Sequence, residues 1–320
     1  MSIIFQNKLD QIFMHSFDRT VKKSIIFGLM NAEPPSINKL DIDICEFLGK
    51  FTFATAEQIA RAFSEPESKI KNKLVKMANN KLVNAFYIAE NGSEENKDNL
   101  IYCLNSGGHY LVDNYATFYD GNREVISSSM KDTGKVSNKL ICTEVYLRYK
   151  ELAGDNLKKF VSDPKSTNIG TSIHRFAFDM IINIPTDEDK SKALVMVGEI
   201  FRDFDEYENL SERLLDIKNL YGSNTWKKIY KETTLGIGHD NDDNPPLPML
   251  IIVENKEMMA RIAEDLFYNQ RTSQLALKLV RFATIENILA EDFGGITYKY
   301  DDKTKKIKKV NPPFKIVKAE

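Results

Sequence analysis

A chain of 320 residues, 42% of them apolar, is long enough to bury a core in each of two domains, while a net charge of −2 excludes a whole-molecule basic field as the source of nucleic-acid affinity. Cys45, Cys103 and Cys142 are widely separated and form no CxxC pair, which argues against structural zinc and a disulfide scaffold and fits a reducing cytoplasm. Nothing approaches the roughly 18 uninterrupted apolar residues of a membrane span, and an N-terminus broken by Gln6, Lys8 and Asp10 does not read as a signal peptide.

Residues 1–35 carry Ile12, Phe13, Phe17, Ile25, Ile26 and Leu29 at helical spacing and end at Pro34-Pro35, which predicts a helical extension. Ser36 opens a helix with Leu40, Ile44, Phe47 and Leu48 on one stripe. Thr55 caps a second helix that buries Ala56, Ile59, Ala60 and Phe63, and Glu65-Pro66 stops it. A third helix enters through Pro66-Glu67-Ser68, points Ile70, Leu74 and Met77 inward, and turns Lys69, Lys71, Lys73 and Lys76 mostly away. Leu82 to Ala89 and Leu100 to Leu104 read as strands around the polar turn at Asn91-Gly92, and Ser106-Gly107-Gly108 leads into a closing helix, His109 to Tyr115. Helices and a hairpin in this order predict a winged helix-turn-helix over residues 36–118, followed by a linker over 119–136 that holds three consecutive serines and no sustained periodicity. Lys69, Lys71, Asn72, Lys73 and Lys76 are its candidate duplex contacts, the lysines for phosphates and Asn72 for a base edge. The wing carries Glu94 and Glu95, a poor phosphate binder. The same fold also serves protein contact or dimerisation.

Beyond the linker, residues 137–295 read as an α/β domain. A helix capped by Ser137 is followed by strands at Leu157 to Val161, Arg175 to Ile184 and Ala193 to Ile200, then a helix from about Tyr207 to Tyr221. A strand at Met249 to Val253, a helix at Lys256 to Tyr268 and a strand at Phe282 to Ile285 complete the order of a nuclease-type core. Residues 296–320 predict a basic hairpin or tail. Asp179 and Glu199 on adjacent strands, with Glu144 on the preceding helix, form one acidic constellation. Two carboxylates hold a divalent ion such as Mg²⁺, which activates water and screens a scissile phosphate. The charge-stabilising Lys usual two residues beyond the Glu is absent, because that position is Phe201; His174, Arg202 and Lys218 are the substitutes. Strand carboxylates also occur as structural ion-pair members, and Tyr221 as a packing residue. No GxxxxGK[ST] or paired-histidine motif occurs, and the Asp240, Asp242, Asp243 run has Pro245 where a calcium loop needs Gly.

The phrases LDIDICEFLGKFTFATAEQIARAF, LNSGGHYLVDN, HRFAFDMII, VMVGEIFRDFD, DIKNLY and LPMLIIVENKEMMARIAEDL give the chain a further character. Through them it resembles the replication-relaxation family, also described as MobC-like plasmid mobilisation proteins, over residues 38–285. The resemblance implies a winged helix joined to a PD-(D/E)XK-like domain that nicks or binds plasmid origin DNA. It matches Asp179 to the family's strand aspartate, Glu199 to its strand glutamate, and Lys218 and Tyr221 to its helix Lys and Tyr. Ala177-Phe178-Asp179 stands where the family often has Arg-Pro-Asp. The expectation is a cytoplasmic protein of a plasmid or mobile element that binds double-stranded DNA at an origin, for mobilisation or replication initiation. It acts as a Mg²⁺-dependent nickase with Asp179, Glu199, Lys218 and His174 in the site. Alternatively it is a non-catalytic regulator or accessory factor whose second domain dimerises or recruits a mobilisation or replication partner.

Overall fold

The computed structural model describes residues 10–15, 37–90, 98–115, 133–157, 159–162, 179–185, 193–202, 210–211, 214–215, 248–312 and 316. The protein is of mixed α/β class and divides into two compact units, Met1–Leu147 and Arg148–Glu320.

In the first unit, helix α1 (Lys39–Phe51) starts at a capping box in which Asn38 Oδ1 accepts the Asp41 N–H at 3.2 Å and Asp41 Oδ2 accepts the Asn38 N–H at 2.9 Å. Helix α2 (Ala56–Phe63) repeats the device with Thr55 and Gln58, both bonds 3.2 Å, and ends at Ser64 in the left-handed conformation. Helix α3 (Glu67–Asn79) follows with Pro66 at its N-cap, and Ile70, Leu74 and Met77 are buried as the spacing predicts. Strands β3 (Val83–Glu90) and β4 (Ile101–Leu104) pair antiparallel, with β2 (Ala54–Thr55) on the far side of β4. Helix α4 (Ser106–Tyr115) closes the hairpin. The wing tip, 91–97, lies outside the described residues.

One element is corrected. Asp10–His15 is expected to be helical and instead forms strand β1, antiparallel to β3, with Phe13 stacked on Tyr87 at 5.4 Å. The apolar residues of DQIFMH fit either period, and the open edge of β3 offers this segment a ladder that a short isolated helix lacks. The rest of the expected extension, 1–9 and 16–35, and residues 119–132 of the expected linker lie outside the described residues; the linker's last four residues, 133–136, are instead the start of a helix that begins at Thr133.

Helix α5 (Thr133–Ala153) carries the division between the units. Its earlier turns belong to the first unit because Leu140 O accepts from Gln58 Nε2 at 3.1 Å, Thr143 Oγ1 donates to Phe53 O at 3.1 Å, and Tyr146 packs on Phe51 at 4.7 Å. The sequence places the break earlier, at 119–136, where composition changes; tertiary hydrogen bonds extend the first unit beyond it.

Gly107 and Gly108 let α4 approach the turn that joins α3 to β3. A Cβ on Gly108 would stand 2.3 Å from Leu82 O, and one on Gly107 2.6 Å from Lys81 O. Both obstacles are backbone, so Gly108→Ala is expected to cost about 1–3 kcal/mol and to lower the urea midpoint of the first unit's unfolding. An unchanged midpoint would show that the helix shifts freely.

The second unit holds a seven-stranded sheet in the order β11-β10-β9-β8-β7-β6-β5. Strands β5 (Lys159–Ser162), β6 (Met180–Pro185) and β7 (Ala193–Phe201) form an antiparallel meander. Strands β8 (Met249–Val253) and β9 (Val280–Thr284) then run parallel to β7, and β10 (Thr297–Asp301) and β11 (Lys306–Val310) return as an antiparallel hairpin. Between the strands lie α6 (Lys256–Tyr268), α7 (Ser273–Leu279) and α8 (Ile285–Leu289). Met258, Ile262, Leu266 and Leu279 pack onto the sheet face of Val197, Ile251, Phe282 and Tyr298. Most of the expected Tyr207 to Tyr221 helix lies outside the described residues, but Leu210 and Leu214 join this core at the spacing of one helical face. No helix among the described residues is long and apolar enough to cross a membrane.

Candidate functional site

The outer face of α3 is set by the burial of Ile70, Leu74 and Met77. Opposite them, Asn72 is exposed, with Lys69 and Lys76 at the i−3 and i+4 positions of the same stripe. Lys76 is exposed and, among the described residues, has no ion-pair partner. Lys69 Nζ lies 2.7 Å from Glu65 Oε1, and Lys71 Nζ 2.7 Å from Glu67 Oε1. Both are exposed i,i+4 pairs, worth about 0.3–0.5 kcal/mol, so either lysine exchanges its carboxylate for a phosphate at little cost.

Lys73 is a correction. It follows Ile70 by three residues and precedes Met77 by four, which turns it toward the core flank instead of outward. Its side chain is only 17% exposed, with Nζ 3.0 Å from Asp41 Oδ1 and 3.0 Å from Asn38 Oδ1. Lys73 therefore clamps α3 to the capping box of α1 and does not share the outward stripe of Lys69, Asn72 and Lys76.

The members of the expected acidic constellation are held by different partners. Glu144 belongs to the first unit, where its carboxylate, 5% exposed, accepts from Arg61 Nη1 at 2.7 and 3.0 Å and from Gln58 Nε2 at 3.4 Å. Arg61 draws it into a desolvated ion pair.

Asp179 and Glu199 are neighbours across the β6–β7 ladder. Asp179 N–H donates to Gly198 O at 2.9 Å, and Asp179 Oδ2 accepts the Ile200 N–H at 2.7 Å, a charge-assisted bond that anchors the carboxylate beside the Glu199 backbone. Glu199 is 2% exposed, and by strand alternation shares its face with Val197 and Phe201, both in the core. Phe201, in the place of the usual Lys, is thus a packing residue. Arg202 follows it, half-buried, and its charge opposes the rise that burial imposes on the Glu254 carboxyl. His174, Lys218 and Tyr221 lie outside the described residues, as does the Asp240 to Pro245 loop.

Mg²⁺ keeps several waters and is commonly held by one or two carboxylates plus substrate phosphate, so Asp179, through Oδ1, and Glu199 have the donor chemistry for it. Among the described residues, no group of three or more His, Cys, Asp or Glu is placed to hold a metal ion. The cysteines offer no alternative. All three are buried and free of disulfides, and burial pushes the Cys45 thiol up, reinforced by Asp41 and Glu46, and the Cys103 thiol up to about 12.

Sequence reasoning does not reach a row of cations on the β9–β10–β11 sheet, because their juxtaposition arises from strand register. No protein-family model, curated protein or solved structure matches this chain.

Proposed function

We propose that this chain is a DNA-binding protein of a plasmid or mobile element, acting at an origin in mobilisation or replication initiation. One observation carries the binding half of this reading: α3 exposes Asn72 between Lys69 and Lys76 while the opposite stripe is locked into the core. The order α1, α2, α3, then the β3–β4 hairpin suits a winged helix-turn-helix, in which the third helix enters the major groove. Lysines position such a helix on phosphates, and an asparagine pairs with the N6/N7 edge of adenine. The origin and mobile-element assignment rests on the resemblance over residues 38–285. The test is duplex binding by Lys69→Gln/Lys71→Gln/Lys76→Gln against the unaltered protein over a salt series; loss of affinity supports the reading, and equal affinity removes α3 as the DNA-binding element.

A second reading, magnesium-dependent nicking, is favoured by the adjacency of Asp179 and Glu199 and by the meander-plus-parallel-strand order from β5 to β8. Asp179 and Glu199 would hold the ion, whose chemistry there is activation of water and screening of a phosphate. Burial of Phe201 in the core favours a binding role without cleavage. Asp179→Asn and Glu199→Gln, which keep side-chain volume, are expected to abolish nicking of supercoiled origin DNA and leave duplex affinity within about twofold of the unaltered protein. If the unaltered protein never nicks across magnesium and manganese titrations, the accessory role stands alone; if both variants nick at the unaltered rate, the carboxylates are not the site.

A further inference from the structure

A second concentration of unbalanced charge, besides that of α3, lies on the second unit. Between Thr297 and Val310 the sequence has six lysines and two aspartates, in a chain whose net charge is −2. Strand pairing arranges part of this charge into a line. Tyr298 is paired with Phe282, so Lys299 stands across from Arg281, and on its other side Lys299 is paired directly with Lys308. Residues directly opposite in an antiparallel ladder point to the same face. Arg281, Lys299 and Lys308 therefore form a cross-strand row over three strands, on the face opposite to Phe282, Tyr298 and Tyr300, which are in the core.

Such a row is costly for the fold alone, since like charges directly opposite are destabilising. Burial lowers the proton affinity of Lys299, and the neighbouring Arg281 lowers it further. Asp301 offsets one member: it forms an ion pair with Lys308, accepts from Thr304, and has its carboxyl held at about 2 by these bonds. Lys306, paired in register with Asp301, adds a further cation to the same face, and its side chain is exposed. Lysines on an edge strand also discourage strand addition, which accounts for Lys306, Lys308 and Lys309 on β11. Edge protection does not account for Lys299, on the interior strand β10, or for Arg281, on β9. The row spans two strand spacings, about 10 Å, close to three base-pair rises of about 3.4 Å.

We infer that the Arg281–Lys299–Lys308 row is a second phosphate-contacting surface for duplex DNA, separate from α3. It rests on the reading of this chain as a DNA-binding protein, and it makes the second unit a participant in binding whether or not that unit cleaves. Its contacts read no sequence; they add affinity and salt dependence.

The test compares three full-length proteins on one duplex over a salt series: unaltered, Lys299→Gln/Lys308→Gln, and the α3 triple variant. Removing two phosphate contacts is expected to make the slope of log K against log salt shallower by about 1.8, with affinity about tenfold weaker at physiological salt. The thermal midpoint is expected to change little, because relief of the Lys299–Lys308 opposition is offset by loss of the exposed Lys308–Asp301 pair. Lys299→Arg, which keeps the charge, is expected to keep the slope. An unchanged slope in the double variant overturns the inference. If that variant also self-associates, the lysines protect the edge; if it loses affinity for polyglutamate instead, the row serves an acidic protein segment. A changed slope in the α3 variant alone leaves the proposed function standing without this surface. A changed slope in the double variant alone moves DNA binding from α3 to the sheet.

Discussion

Replacing Arg61 with alanine is expected to destabilise the first unit by about 3 kcal/mol, the lower end of the range for breaking a buried ion pair. Glu144 is 5% exposed on a helix that also buries Leu140, Ile141 and Val145 around it in sequence, so its charge has little access to water. Arg61 supplies hydrogen bonds at 2.7 and 3.0 Å, while Gln58 Nε2 stands at 3.4 Å. The remaining 24% exposure of Arg61 is why the lower end applies. A double-mutant cycle in urea checks the attribution. Arg61→Met/Glu144→Leu, which removes both charges and keeps apolar volume, should recover much of the loss. A cost below 1 kcal/mol for Arg61→Ala would mean that water reaches the pair. The same experiment bears on function, because a Glu144 held in this way has a structural role in the first unit.

Local signals account for most of what the sequence foretells. Thr55 caps α2 as its residue type suggests, α6 spans Lys256–Tyr268 as the apolar spacing requires, and Ile70, Leu74 and Met77 turn inward on α3. Features set by distant partners stay hidden. Strand β1 is settled by the free edge of β3, about 75 residues along the chain, and not by its own pattern. The inner position of Lys73 is implicit in its spacing from Ile70 and Met77, yet the pairing that removes it from the surface depends on Asp41 in another helix. The row through Lys299 is invisible until Tyr298 and Phe282 are known to pair, because sequence shows three cations on three separate strands. In the candidate nuclease site the adjacency of Asp179 and Glu199 follows from the hairpin between their strands. What the sequence leaves out is the hydrogen bond that commits one Asp179 oxygen to the Ile200 N–H.

The largest functional effect is expected at α3. Lys69→Gln/Lys71→Gln/Lys76→Gln should weaken duplex binding by about 10²-fold at physiological salt, since each lysine that neutralises a phosphate releases counterions on binding. The fold should tolerate the change. Lys69 and Lys71 are more than half exposed, and their pairs with Glu65 and Glu67 contribute only a few tenths of a kcal/mol each. Lys73→Gln belongs beside it as a contrast: this change should lower stability by loosening the clamp on Asn38 and Asp41, with no change in salt slope. Asn72→Ala should act differently again, costing about 1–3 kcal/mol on the preferred duplex and little on an unrelated one. The most direct measurement is the slope of log K against log salt for the α3 triple variant and the unaltered protein on the same duplex. A slope shallower by about 2.7, for three lost phosphate contacts, is the predicted result; the same slope and affinity in both proteins would contradict DNA binding through this helix.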